Sequence, residues 1–189
     1  LTADATDTIS VDLGAGNDLL VVGAISKSYT IAGGDGIDTL VAGASITNTA
    51  LVGTGLNVSG FEVVSAGAVS VALPTATNTI STVSFTGTGG SVAGVESGAT
   101  IAQAATGTNT VSNTTGWTGA ADSLNVVVGK ASAGGAITQS LVAYDAKSKT
   151  GVETATITNN QLATSTDARS VGVSAASLTK MTVISSIDA

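Results

Sequence analysis

The chain has 189 residues, 13 acidic and six basic, with a formal net charge of −7 and neither Cys nor His. Disulfide scaffolds, thiolate nucleophiles, Cys/His zinc sites and His-based triads are therefore excluded within it. No Lys or Arg occurs between Ser28 and Gly129, which removes the clustered cations that nucleic acid or an anionic membrane surface requires.

Aromatic residues make up 3% of the chain and charged residues 10%, against 24 glycines. Any core must then be assembled from Ala, Val, Ile and Leu, a thin filling that suits repetitive β layers. Disordered chains combine low hydrophobicity with high charge, and this chain has positive mean hydropathy and few charges. No apolar run approaches the roughly 18 residues of a spanning helix, so membrane insertion is not expected. Position 1 is Leu and no signal-peptide pattern follows, so the sequence reads as part of a longer, processed polypeptide.

In chain order the fold class reads as all-β. The first predicted strand, Thr8–Asp12, leads into the turn Leu13-Gly14-Ala15-Gly16-Asn17-Asp18 and a second strand, Leu19–Val22. Tyr29–Ala32 repeats this arrangement through the turn Gly33-Gly34-Asp35-Gly36-Ile37-Asp38 into Thr39–Ala42. Further strands are predicted at Glu62–Ser65, Val69–Leu73, Thr79–Phe85, Leu124–Val128, Thr154–Thr158 and Lys180–Ser185. Each is short, rich in Val, Ile and Thr, and bounded by Gly, Asn, Asp or Ser. The one weak helical pattern runs from Val173 to Met181, with Ser174 or Ser177 as its cap.

A loose internal repeat joins distant parts of the chain. Asp38-Thr39-Leu40-Val41 is followed by Gly60-Phe61-Glu62-Val63-Val64, and Asp122-Ser123-Leu124-Asn125-Val126 by Gly151-Val152-Glu153-Thr154-Ala155. Gly94-Val95-Glu96 is a third, weaker copy of the second element. Repeats with variable insertions fit stacked β-coils with loops emerging between them.

Acidic residues crowd the first segment. Asp4, Asp7, Asp12, Asp18, Asp35 and Asp38 face only Lys27, a net −5 within 38 residues. Carboxylates crowded among glycines point to a bound cation. Glycine permits turn conformations that aim successive carbonyls inward, and Ca²⁺ takes six to eight oxygens from carbonyls and a few carboxylates.

Gly33-Gly34-Asp35-Gly36-Ile37-Asp38-Thr39-Leu40-Val41 fits every position of the nonapeptide G-G-x-G-x-D-x-U-x. Leu13-Gly14-Ala15-Gly16-Asn17-Asp18-Leu19-Leu20-Val21 is a second copy, with Leu in place of the first Gly. Over residues 1–42 the chain resembles the repeats-in-toxin family of calcium-binding β-rolls. That resemblance implies Ca²⁺ between two stacked turns, since Asp18 and Asp38 lie 20 residues apart. Its implied site residues are Gly14, Gly16, Asp18, Gly34, Asp35, Gly36 and Asp38, with Asp7 and Asp12 as outlying candidates. Asp7, 11 residues before Asp18, belongs on the opposite side.

The remainder resembles bacterial surface-layer and large-adhesin proteins more loosely, through Gly60-Phe61-Glu62-Val63-Val64 and Gly151-Val152-Glu153-Thr154. These resemblances imply a calcium-braced parallel β-roll or β-solenoid over residues 1–45. Residues 46–189 would continue as further β-coils or a β-sandwich-like region, either as a second unit or as one continuous domain with the first. They also imply export by a type I route and an extracellular, cell-surface location. The implied function is a structural domain, not an enzyme, that self-assembles with copies of itself or neighbouring domains into a surface layer or filament. A calcium-rigidified adhesin stalk and the non-catalytic tail of an exported hydrolase are the alternatives.

Other candidate sites carry less. Glu62, Glu96 and Glu153 lack the aromatic platforms of sugar-cleaving sites, and read as strand ends or further cation contacts. Lys147 and Ser148-Lys149 are poorly placed for a nucleophile pair, because adjacent strand residues face opposite ways. Trp117 fits an interface contact or a plug in a thin core. Thr75/Thr77/Thr79, Thr106/Thr108/Thr110 and Thr154/Thr156/Thr158 are unequally spaced, which suits ordinary strand composition better than an ice-binding face.

Overall fold

A computed structural model describes residues 9–23, 29–45, 57–73, 77–104, 107–113, 117, 121–128, 137–145, 152–159 and 169–185. Sixteen strands occur among them. The first eight are β1 (Ile9–Asp12), β2 (Leu19–Val22), β3 (Tyr29–Ala32), β4 (Thr39–Ala42), β5 (Asn57–Ser59), β6 (Val63–Ala66), β7 (Ser70–Ala72) and β8 (Ile80–Phe85). The rest are β9 (Ser91–Ala93), β10 (Val95–Gln103), β11 (Gly107–Asn113), β12 (Ser123–Val128), β13 (Ile137–Asp145), β14 (Thr154–Asn159), β15 (Arg169–Ala175) and β16 (Lys180–Ser185). No helix is present among the described residues.

Even-numbered strands form one eight-stranded sheet in the order β16-β14-β12-β10-β8-β6-β4-β2. Odd-numbered strands form a three-stranded sheet, β1-β3-β5, and a five-stranded sheet, β15-β13-β11-β9-β7. The chain thus alternates between the large sheet and a smaller one at every connection. All pairings between these strands are parallel, so the hairpin pairs of an antiparallel sandwich are not found among them.

Register is what turns this topology into a core. Leu20, Leu40, Val64, Val83, Ile101, Val126, Ile157 and Val183 form one rank across all eight strands. The next inward rank runs Val22, Ala42, Ala66, Phe85, Gln103, Val128 and Asn159. Val71, Val92, Val111, Ala143 and Ala175 align across the five-stranded sheet. Val11, Ile31 and Val58 do so across the three-stranded one. Residues from all three sheets meet in one hydrophobic cluster. Strand neighbours lie about 4.7–4.9 Å apart, close enough for small and β-branched side chains to fill each layer.

Where these ranks reach a turn, buried amides replace apolar residues. The Asn78 side chain accepts from the Phe61 N–H (3.2 Å) and donates to the Val58 carbonyl (2.9 Å). Asn109 accepts from the Gly90 N–H (2.8 Å) and donates to Gln103 Oε1 (2.7 Å). Backbone groups that leave the ladder at a corner thus find partners inside the protein, as burial demands.

Several expectations are corrected. Val173 to Met181 is the end of β15, a turn and the start of β16, not a helix. Its Val, Ser and Ala residues pair in register with β13 and β14, and tertiary pairing overrides the weak helical pattern. β5, β9, β10, β11, β13 and β15 were not expected, because their Gly, Ala, Gln and Asn content masks the alternation. β10 also shifts register between Val95 and Thr100, around Gly98 with φ 85°.

Trp117 is buried in the core, as a plug would be. Of the threonine arrays, Thr108 and Thr110 lie on β11 and Thr154, Thr156 and Thr158 on β14, in different sheets. Thr39, Thr82, Thr100, Thr156 and Thr182 share one outward rank with Leu19, Val63 and Asn125, because the connections absorb the unequal spacing. Thr75, Thr106, Lys147 and Ser148-Lys149 lie outside the described residues.

The inward and outward ranks should respond differently to truncation. Phe85→Ala is expected to cost about 3–5 kcal/mol, and Thr82→Ala on the outer rank about 0.5 kcal/mol or less. Urea denaturation of both variants checks the assignment, and equal losses would contradict it.

Candidate metal site at the stacked turns

The two nonapeptide turns lie directly against each other. Ala15 and Asp35 form a parallel bridge. The Asp35 N–H donates to the Gly14 carbonyl (2.9 Å) and the Gly16 N–H to the Asp35 carbonyl (2.8 Å). The backbone ladder therefore continues from the strands through the turn. This close approach is what requires glycine at Gly34 and Gly36, with φ of 111° and 139°. A Cβ on Gly34 would overlap the Gly14 carbonyl oxygen, and one on Gly36 the Gly16 carbonyl oxygen. Leu13, standing where the nonapeptide has its first Gly, is half-buried against the core.

Side chains fasten the same stack. Asn17 Oδ1 accepts from the Ile37 N–H (3.0 Å) and Asp38 Oδ1 from the Asp18 N–H (2.9 Å). On the next layer Glu62 Oε2 accepts from the Asp38 N–H (2.9 Å). In return the Asp38 carbonyl accepts from the Val63 N–H (3.0 Å) and the Glu62 N–H (3.3 Å).

The second oxygens, Oδ2 of Asp18 and of Asp38, are buried and accept no hydrogen bond. Asp38 as a whole is 0% exposed. Its Oδ2 and the Gly60 carbonyl oxygen both border the space that a Cβ on Gly33 would fill. The described residues from 9 to 104 include no Lys or Arg. A buried carboxylate is stable when paired or coordinated, so this cradle of oxygens suits a cation.

The other candidates lie further out. Asp35 is exposed, and its backbone rather than its carboxylate joins the stack. Asp12 is exposed and its Oδ1 accepts from the Gly14 N–H (3.1 Å), closing the turn at the end of β1. Asp7 lies outside the described residues. No three acidic side chains converge among the described residues, so an ion here would draw most of its ligands from carbonyls.

The internal repeat has a structural basis. Glu153 Oε2 accepts from the Asp122 N–H (2.9 Å), as Glu62 does from Asp38. The Asp122 carbonyl accepts from the Glu153 N–H (3.0 Å) and the Thr154 N–H (3.1 Å). Phe61 and Val152, preceding the two glutamates, are both 0% exposed. Each Asp and Gly-x-Glu pair is thus a clamp between adjacent strand starts of the large sheet, and Glu62 and Glu153 are its acceptors. Glu96 lies half-exposed on β10. Recurrence of Asp with Gly-x-Glu was the signal that could have identified the clamp.

No protein-family model, curated protein or solved structure matches the chain.

Hydrogen bonds to charged groups contribute roughly 1.5–3 kcal/mol each. Glu62→Ala and Glu153→Ala are therefore each expected to destabilise by about 1–3 kcal/mol, with Gln at either position recovering most of the loss. Denaturant midpoints measure this, and a neutral Ala variant would remove the clamp from the structure's supports.

Proposed function

We propose that this chain is an extracellular structural domain that binds Ca²⁺ at its stacked glycine turns and self-assembles into a bacterial surface layer or filament. The supporting observation is the pair of buried, unpartnered carboxylate oxygens of Asp18 and Asp38, set on turns whose sequences match the calcium-binding nonapeptide. In this reading the alternating parallel strands are the coils of a β-solenoid and the nonapeptide segment is its calcium-braced roll. Asp18 and Asp38 supply carboxylate oxygens, and the turns containing Gly14, Gly16, Gly34, Asp35 and Gly36 supply carbonyls. Asp12 stays at the rim.

Several features favour a structural role over catalysis. The chain lacks Cys and His, and its buried polar side chains Asn78, Asn109 and Gln103 are engaged in holding the corners. Extracellular calcium modules bind in the range of about 10⁻⁴–10⁻³ M. Such a domain stays loose at cytosolic calcium and sets after export. A calcium-rigidified adhesin stalk would share the site and differ in remaining monomeric.

Light scattering during calcium titration of chelated protein tests the proposal. The expected result is growth into large particles at low-millimolar calcium, reversed by chelator and absent in Asp38→Asn. A mass that stays monomeric throughout would sink assembly by this domain and favour the stalk.

A further inference from the structure

Asp35-Gly36 is the one Asp–Gly pair in the chain, and no Asn–Gly pair occurs. A backbone nitrogen reaches the preceding Asp side chain most easily when its own residue has no Cβ, and only glycine meets that condition. Asp12, Asp18, Asp38 and Asp122 are followed by Leu13, Leu19, Thr39 and Ser123, whose side chains obstruct the same approach.

The fold puts this pair where it can react. Residues 34–37 are exposed, whereas Asp38 is fully buried. Asp35 joins the stack through its backbone, its N–H donating to the Gly14 carbonyl and its carbonyl accepting from the Gly16 N–H. Glycine at position 36 is obligatory, since a Cβ there would overlap the Gly16 carbonyl oxygen. The contact that stacks the turns therefore also places the reactive pair on the surface.

We propose that Asp35-Gly36 is a modification site, at which the chain isomerises to isoaspartate when the stacked turn opens. The Gly36 nitrogen bonds to Cγ of the protonated Asp35 carboxyl, a proton and the hydroxyl leave as water, and a five-membered succinimide closes. Water then adds at the ring carbonyl that was the Asp35 main-chain carbonyl. Its bond to the Gly36 nitrogen breaks, and the nitrogen keeps its bond to Cγ. One water is lost and one gained, so the mass is unchanged.

The chain now runs through Cβ and Cγ, longer by one carbon–carbon bond of about 1.5 Å. The former main-chain carbonyl becomes a free carboxylate and no longer lies in the ladder with the Gly16 N–H. Gly36 is displaced from Gly16, and the register handed on to Asp38 and β4 shifts. Ring closure requires the Asp35–Gly36 peptide plane to turn its nitrogen toward Cγ, and the bonds to Gly14 and Gly16 hold that plane while the stack is closed. The rate thus follows the population of opened turn, which a cation bound to the closed stack lowers. This regulation rests on the calcium reading: loss of Ca²⁺ becomes a covalent loss of the site.

Incubating native protein warm at neutral pH, in Ca²⁺ or in chelator, tests the proposal. Isoaspartate leaves the peptide mass unchanged but resists endoproteinase Asp-N and gives distinctive electron-transfer fragments. The expected result is isoaspartate at position 35 in chelator, slowed about tenfold or more by Ca²⁺ at ten times a Kd of about 10⁻³ M. Asp35→Glu, whose side chain cannot close a five-membered ring, should show none, and isomerised protein should have lost Ca²⁺ binding.

No isoaspartate at Asp35 in chelator, or equal amounts at Asp12 and Asp18, would overturn the site. Equal rates in protein that does bind Ca²⁺, or native affinity after isomerisation, would overturn the regulation and leave the calcium reading intact. Equal rates in protein that binds no Ca²⁺ would sink that reading, with the modification site standing.

Discussion

The structure depends on carboxylates that take backbone N–H groups across adjacent strand starts. Asp38 receives the N–H of Asp18, Glu62 that of Asp38, and Glu153 that of Asp122. Each such bond fixes where the next strand of the large sheet begins. In a parallel sheet a one-residue slip would send every inward side chain outward. Where these clamps join β2 to β4, β4 to β6 and β12 to β14, the strand starts stay in register although the connections differ in length. A core of Val, Ile, Leu and Ala, with little aromatic volume, has few large shapes to enforce register and so relies on the backbone to do it.

The same device places carboxylates at the strand starts, where Asp38 is fully buried and Glu62 and Glu153 are half-buried. Asp38 Oδ1 accepts from the Asp18 N–H, and Oδ2 of both Asp38 and Asp18 is buried without a donor. Gly34 and Gly36 admit no side chain between the turns, because the Gly14 and Gly16 carbonyl oxygens lie against them. Buried Asp38 Oδ2 beside the Gly60 carbonyl oxygen, with no Lys or Arg among the described residues from 9 to 104, is what supports the proposed Ca²⁺. Structural role and ligand are then one question: the ion would neutralise the clamp that sets the register.

Much of this was legible in the sequence, for identifiable reasons. The strands at Leu19–Val22, Tyr29–Ala32 and Thr39–Ala42 announced themselves by β-branched residues between Gly/Asp turns, and the structure forms them at those bounds. β10 and β11 were hidden because the protein buries Gln103, Asn109 and Asn113 inside its core, which breaks the apolar alternation. The Asp and Gly-x-Glu recurrence was visible, but the partnership of Glu62 with Asp38 was not. It depends on residues 24 apart meeting across adjacent strands, which no local pattern encodes. Thr108 and Thr156, from two of the threonine arrays, fall on β11 and β14 in different sheets, so register and not chain distance decides which side chains align.

The described residues up to 38 carry Asp12, Asp18, Asp35 and Asp38 and no basic residue. Whether the acidic end carries an ion is the point on which the functional reading turns. Isothermal titration of Ca²⁺ into chelated protein, alongside Asp38→Asn, addresses it most directly. The expected result is saturable binding with Kd of about 10⁻⁴–10⁻³ M, lost in the variant although it remains folded. Absence of binding in the native protein, or binding unchanged by Asp38→Asn, would contradict it.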